Sequence, residues 1–226
     1  MNNSIVTKEK REFRIKRILI FCALYLLVFF LLEQRSISPY ILNSNLDEKI
    51  PFCAAFVIPY FSWFLYMPLT VAGFALYCDD EKFEPFIRSL ILGNILFLVI
   101  SFVFPNGHTL RPVLEGSDIF TQIVRFLYTI DTPTNILPSM HVFCAVACCI
   151  ALFQTNSLQK HPLLGHAVRL LTILIVLSTV FLKQHTILDV VAALALNFFC
   201  YALFYEDQYL LSPHRKQKHR LFWYDE

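Results

Sequence analysis

Residues 183–206 read KQHTILDVVAALALNFFCYALFYE, and this stretch decides the fold. From Thr186 onward it is apolar for about the 20 residues a helix needs to cross a bilayer, yet it opens on Lys183, His185 and Asp189. An ionisable group about one turn inside such a helix is costly and by default functional. Four residues apart, His185 and Asp189 share one helix face. A second apolar stretch opens in the same way, on Pro138-Ser139-Met140-His141.

Composition extends this reading to the whole chain. With 57% hydrophobic and 16% charged residues and a mean hydropathy of +0.56, the chain is far more apolar than a soluble domain. Its 5 glycines against 23 phenylalanines exclude a disordered or fibrous protein. A net charge of +2 is too small to suggest nucleic acid. Hydropathy predicts membrane spans near residues 16–33, 52–77, 86–104, 137–154, 167–183 and 186–206. The expected fold is therefore an all-α integral membrane protein, a six-transmembrane-helix bundle forming one domain over residues 1–226. The fourth span is the weakest, because it begins on polar residues, and Pro59 and Pro68 interrupt the second. The first span lacks a small-x-small cleavage site and reads as a retained anchor. The 7 cysteines show no paired spacing; Cys22, Cys144, Cys148, Cys149 and Cys200 fall in apolar runs and read as packing residues.

Loop charge sets the expected orientation. Basic residues gather in the arm before residue 17 (Lys8, Lys10, Arg11, Arg14, Lys16, Arg17) and in the tail 207–226 (His214, Arg215, Lys216, Lys218, His219, Arg220). Both ends are expected in the cytoplasm, the arm as a solvated helix start, with a plasma membrane the simplest location. The acidic loop 78–82 then also faces inward, and the loops 34–51, 105–136 and 183–186 face outward. Within the long outer loop, apolar residues at helical spacing from Ile119 to Ile130 predict a short amphipathic helix. Arg111, His141, His185 and Asp189 thus share one membrane face.

Their chemistry suits phosphate. A carboxylate at Asp189 can accept the Nδ1 proton of His185 and leave Nε2 as a nucleophile. Ser139 can cap a helix whose first turn offers N–H groups to an anion. His141 beside it can pass protons. Arg111 and Lys183 supply cations for phosphate oxygens. The bland alternatives are a structural His–Asp pair, a capped helix with an interfacial histidine, and two interfacial anchors. Adjacent cations and the lack of His-x-x-His spacing argue against a metal. A proton-coupled transporter is the rival class, but it should carry its ionisable residues near the midplane.

Arg111-Pro112, Pro138-Ser139-Met140-His141 and His185-x-x-x-Asp189, in this order, resemble the type 2 phosphatidic acid phosphatase superfamily. The resemblance implies an integral membrane hydrolase acting on a lipid phosphate without metal or cofactor. His185 would be the nucleophile that becomes phosphohistidine, Asp189 its orienter and His141 the acid and then base. Arg111 and Ser139 would hold phosphate oxygens, and Lys183 is a further candidate. Three positions depart from the pattern. Phe104 stands where the family has lysine, Met140 where it has glycine, and Thr179 where it has arginine. These departures are similar to the branch of inositol-phosphorylceramide and sphingomyelin synthases, in which an alcohol accepts the headgroup. A degenerate member with a scaffolding role is the remaining alternative.

Overall fold

The computed structural model describes residues 6–34, 40–155, 158 and 160–205. The basic tail 207–226 and its expected cytoplasmic position lie outside the described residues. Among the described residues eight α-helices follow one another: α1 Lys8–Glu33, α2 Asn45–Lys49, α3 Val57–Tyr77, α4 Asp80–Val103, α5 Ile119–Ile130, α6 Met140–Phe153, α7 Pro162–Phe181 and α8 Ile187–Phe204. A 3-10 turn, Ala54–Phe56, leads into α3. The all-α expectation holds except for two short strands, β1 Tyr40–Ile41 and β2 Asn106–Gly107, paired in parallel.

Local sequence starts each helix. Thr7, Asp79, Asp118, Ser139 and Thr186 each accept a backbone N–H of the first turn through the side chain, satisfying donors that a helix end leaves free. Thr186 and Asp189 form a reciprocal capping box at α8. Pro162 occupies the first turn of α7, where its missing N–H costs nothing. Pro68, by contrast, lies inside α3, which continues through it to Tyr77.

Among the described residues five helical segments are long and apolar enough to cross a membrane: α1, α3 with its leading turn, α4, α7 and α8. The fourth expected span is different. It forms α6, of 14 residues, or about 21 Å at 1.5 Å per residue, against a hydrocarbon core of about 30 Å. The Ser139 cap and the turn at Gln154–Thr155 cut it short. Instead α6 is the enclosed centre of the bundle, packed by α3, α4, α7 and α8. Its inner face is small (Cys144, Ala145, Ala147, Cys148, Ala151), so neighbouring backbones approach closely. At Gly93 of α4 a Cβ would fall 2.0 Å from Phe143 Cζ of α6, so only glycine admits that ring.

The outermost helix, α1, buries only Arg14 and Leu32 among its described side chains. Its phenylalanine and tyrosine rings meet Phe97 of α4, with Phe29–Phe97 centroids 6.0 Å apart. At its start Lys8, Lys10 and Lys16 are exposed, as expected of a solvated arm, but Arg14 is not and forms a latch. Arg14 is 2% exposed, donates to the carbonyls of Ala75 (3.2 Å) and Cys78 (2.8 Å) and pairs with Asp80. Lys10 also meets Asp80, and Arg17 meets Glu84 at 3.1 Å. The acidic residues of the α3–α4 turn pair with these cations across more than 60 residues of sequence, a pairing that no local pattern encodes, and Arg14 alone of the three is buried.

Candidate active site

The starts of α6 and α8 and the end of α7 meet at the bundle end remote from the Arg14 latch, and they bring the sequence-predicted residues together. The joint is backbone first: Ser139 N–H donates to the carbonyl of Asp189 at 3.1 Å, so the two histidine-bearing helix starts are bonded to each other. Across it the His141 and His185 ring centroids lie 5.7 Å apart, tilted by 59°. His141 is packed against Tyr60 and Trp63, at 4.6 and 4.7 Å between centroids. His185 is recessed at 9% exposure.

His185 Nδ1 lies 3.4 Å from Asp189 Oδ2, within ion-pair distance. Nδ1 makes no hydrogen bond among the described residues, and Oδ2 accepts the Thr186 N–H at 2.7 Å. Asp189 is fully buried and its second oxygen, Oδ1, also has no partner among the described residues.

Arg111 reaches this end over the Tyr128 ring, 4.3 Å from its centroid. Its guanidinium donates to the carbonyls of Tyr128 (3.3 Å) and Asp131 (2.6 Å) and to Gln184 Oε1. Its Nε is buried with no partner among the described residues. Burial is the larger influence on this group and holds its pKa below the usual arginine value, against the opposing pull of Asp131. Tyr60 donates to that Asp131 carboxylate at 2.6 Å, linking the arginine's surroundings to the ring beside His141.

Two predicted phosphate ligands are differently engaged. The Lys183 ammonium donates to the carbonyls of Asp47 and Ile50, both at 2.5 Å, and so clamps the outer segment around α2. Ser139 is fully buried, and its Oγ accepts Val142 N–H at 3.4 Å. That satisfies its expected capping role, but it also uses a first-turn N–H expected to serve an anion.

Sequence reasoning missed three residues. Asp47, 2% exposed, shares its carboxylate between the Ser44 cap and the Ile187 N–H of α8 at 2.7 Å. Gln184 orients Arg111 through Oε1 and leaves its own Nε2 buried and unpartnered. His108 accepts Leu110 N–H at Nδ1 (3.1 Å), so its Nε2–H donates to the Gln184 carbonyl (3.1 Å). Burial first, then the nearby His185 and Arg111, push the His108 pKa down to about 4, so it is a neutral brace. The only sequence signal was polarity beside the motifs; the pairings span about 75 to 140 residues.

Chemically, the end offers an imidazole beside a buried carboxylate, a second imidazole with its ring centroid 5.7 Å away, and a guanidinium fixed by neutral oxygens. Among the described residues no group of three or more His, Cys, Asp or Glu is arranged to hold a metal ion. Comparisons with protein-family models, with curated proteins and with solved structures find no match to this chain.

Proposed function

We propose that the chain is an integral membrane enzyme that cleaves a lipid phosphate ester through a phosphohistidine at His185. The observation that carries this reading is the meeting of His185, Asp189 and His141 at one end of an apolar bundle, with Arg111 alongside. Of the four, Asp189 is wholly buried without a counter-cation in contact other than the imidazole, an arrangement that is expensive unless it serves chemistry.

In the proposed sequence, Nε2 of His185 attacks phosphorus and the P–O bond to the lipid breaks. His141 gives its proton to the departing alkoxide. Asp189 stabilises the imidazolium through Nδ1–H, as an orienting carboxylate does in a triad. Arg111 Nε and Gln184 Nε2 supply hydrogen bonds to the equatorial oxygens, whose charge grows in the transition state. A water then loses a proton to His141 and attacks phosphorus, the P–N bond breaks, and phosphate leaves. The positive-inside rule supports a cytoplasmic α1 start, and on that reading the histidines face outward from what we take to be the plasma membrane.

Transfer to a lipid alcohol is the second reading. It is favoured by the aromatic wall of Tyr60, Trp63 and Phe64 around His141, which keeps water from the group that activates the acceptor. Purified protein in nanodiscs, given labelled phospholipid with and without ceramide or diacylglycerol, separates the two. Free phosphate or free headgroup phosphate supports hydrolysis, and a new labelled lipid that requires the acceptor supports transfer. Absence of both, with His185→Ala indistinguishable from wild type, removes the enzyme reading.

A further inference from the structure

A cavity of about 690 Å³ lies between α1, α3, α4 and the start of α6, inside the range of about 300–1,000 Å³ of pockets that enclose a ligand. Its shape follows the helices. On α1 its lining runs from Ile15 to Leu26 and on α3 from Trp63 to Leu76, about 16 and 20 Å at helical rise. It is thus a slot parallel to the bundle axis. Its walls are hydrocarbon and aromatic, among them Ile18, Met67, Val71 and Leu90. The one amide on the wall, Asn94, donates to its own helix at Leu90 O, 2.8 Å.

The two ends of the slot differ. One is formed by Trp63, Phe64 and Met140. The first two also pack on the His141 ring, and Met140 directly precedes it. The slot is therefore continuous with the wall of the histidine site. Trp63 adds a second sign at that junction, since its indole N–H is buried without an acceptor among the described residues. The other end is lined by Ile15, Ala75 and Leu76, and there Arg14 bonds the Ala75 carbonyl and holds α1 against α3.

We propose that this slot binds one acyl chain of the lipid phosphate, with the chain terminus toward the Arg14 latch and the first polar group of the lipid at Trp63. The proposal rests on the lipid-phosphate reading and states where the substrate's hydrocarbon goes. An apolar slot between bilayer-facing helices is filled by chains without desolvating any polar group. The Trp63 N–H then donates to an ester or amide carbonyl, as a tryptophan with one wet end commonly does. The slot runs out at the Arg14–Ala75 contact, so its length is expected to bear on chain length.

Ala72 and Cys22 line the slot, are exposed and take no part in the histidine site, so Ala72→Trp and Cys22→Trp fill it from opposite walls. Leu24→Trp, exposed on α1 but outside the slot, is the control. The probes are dipalmitoyl and dihexanoyl phosphatidate. The two filling variants should lose roughly tenfold or more in kcat/KM on the long-chain probe, keep wild-type kcat/KM on the short one, and leave Leu24→Trp unchanged on both. Equal losses on both probes, or none, overturn the slot. A second readout does not depend on turnover: a phospholipid carrying a mid-chain diazirine, photolysed in nanodiscs, should label Met67, Val71 or Leu90, and labelling confined to outward residues such as Leu24 overturns the proposal. If wild type hydrolyses neither probe, the phosphatidate-hydrolysis reading has failed, and the labelling pattern still decides the slot.

Discussion

The two ends of the bundle treat their cations in opposite ways. At the α1 start, cations meet carboxylates: Lys10 and Arg14 share Asp80, and Arg17 and Arg88 share Glu84. At the histidine end, Arg111 and Lys183 bond to carbonyl and amide oxygens and make no ion pair among the described residues. Meanwhile the one fully buried carboxylate, Asp189, has an imidazole for its ion partner. Neutral partners position a cation without pairing its charge. The first end ties its cations into ion pairs, and the second holds them on neutral oxygens.

That contrast can be broken at its strongest point by His185→Gln. Turnover of a phosphatidate should fall by about 10³-fold or more, as removal of a nucleophile does, while thermal stability in detergent stays near wild type. Comparable losses of both would make His185 a structural residue.

Arg14→Met probes the other end, with the converse expectation. The variant forfeits charged hydrogen bonds to two carbonyls, each contributing about 1.5–3 kcal/mol; the pair with half-exposed Asp80 adds little. We expect about 3 kcal/mol less stability, read by thermal unfolding, with short-chain turnover retained.

His108 sharpens the comparison through pH. Its folded pKa, about 4, lies below the ordinary 6.5, so the unfolded chain binds a proton that the folded chain refuses between those values. The stability contribution is full above about pH 6.5 and is lost as pH falls toward 4, by at most about 3 kcal/mol. Stability measured from pH 7.5 to 4.5 should decline in wild type and decline less in His108→Asn; parallel curves would show that other groups set the slope.

Lys183→Met carries the smallest expected effect and decides between two roles. As a clamp on Asp47 and Ile50 it contributes about 1–3 kcal/mol of stability and leaves KM for lipid phosphate unchanged. A rise in KM of about tenfold would instead return it to the phosphate site.

Much of this division was readable from the chain because it lies in local pattern. Five apolar spans, the capped start at Ser139, the amphipathic stretch Ile119–Ile130 and the one-turn spacing of His185 and Asp189 depend on residues a few positions apart. At residues 137–154 hydropathy registers apolar content and not the cap and turn that limit α6 to 14 residues. It also read Arg14 as solvated and Lys183 as a phosphate ligand, because the oxygens that engage them lie about 60 and 135 residues away. Asp47, His108 and Gln184 escaped notice for the same reason: each acts through a partner supplied by another, distant segment.

The most direct test of the central claim is rapid-quench trapping of the enzyme with phosphate-labelled phosphatidate, followed by mapping of the label. The expected result is an acid-labile, base-stable phosphohistidine at residue 185, absent in His185→Ala and slower to form and to decay in His141→Ala. Steady hydrolysis with no label on His185, or label persisting in His185→Ala, would contradict it.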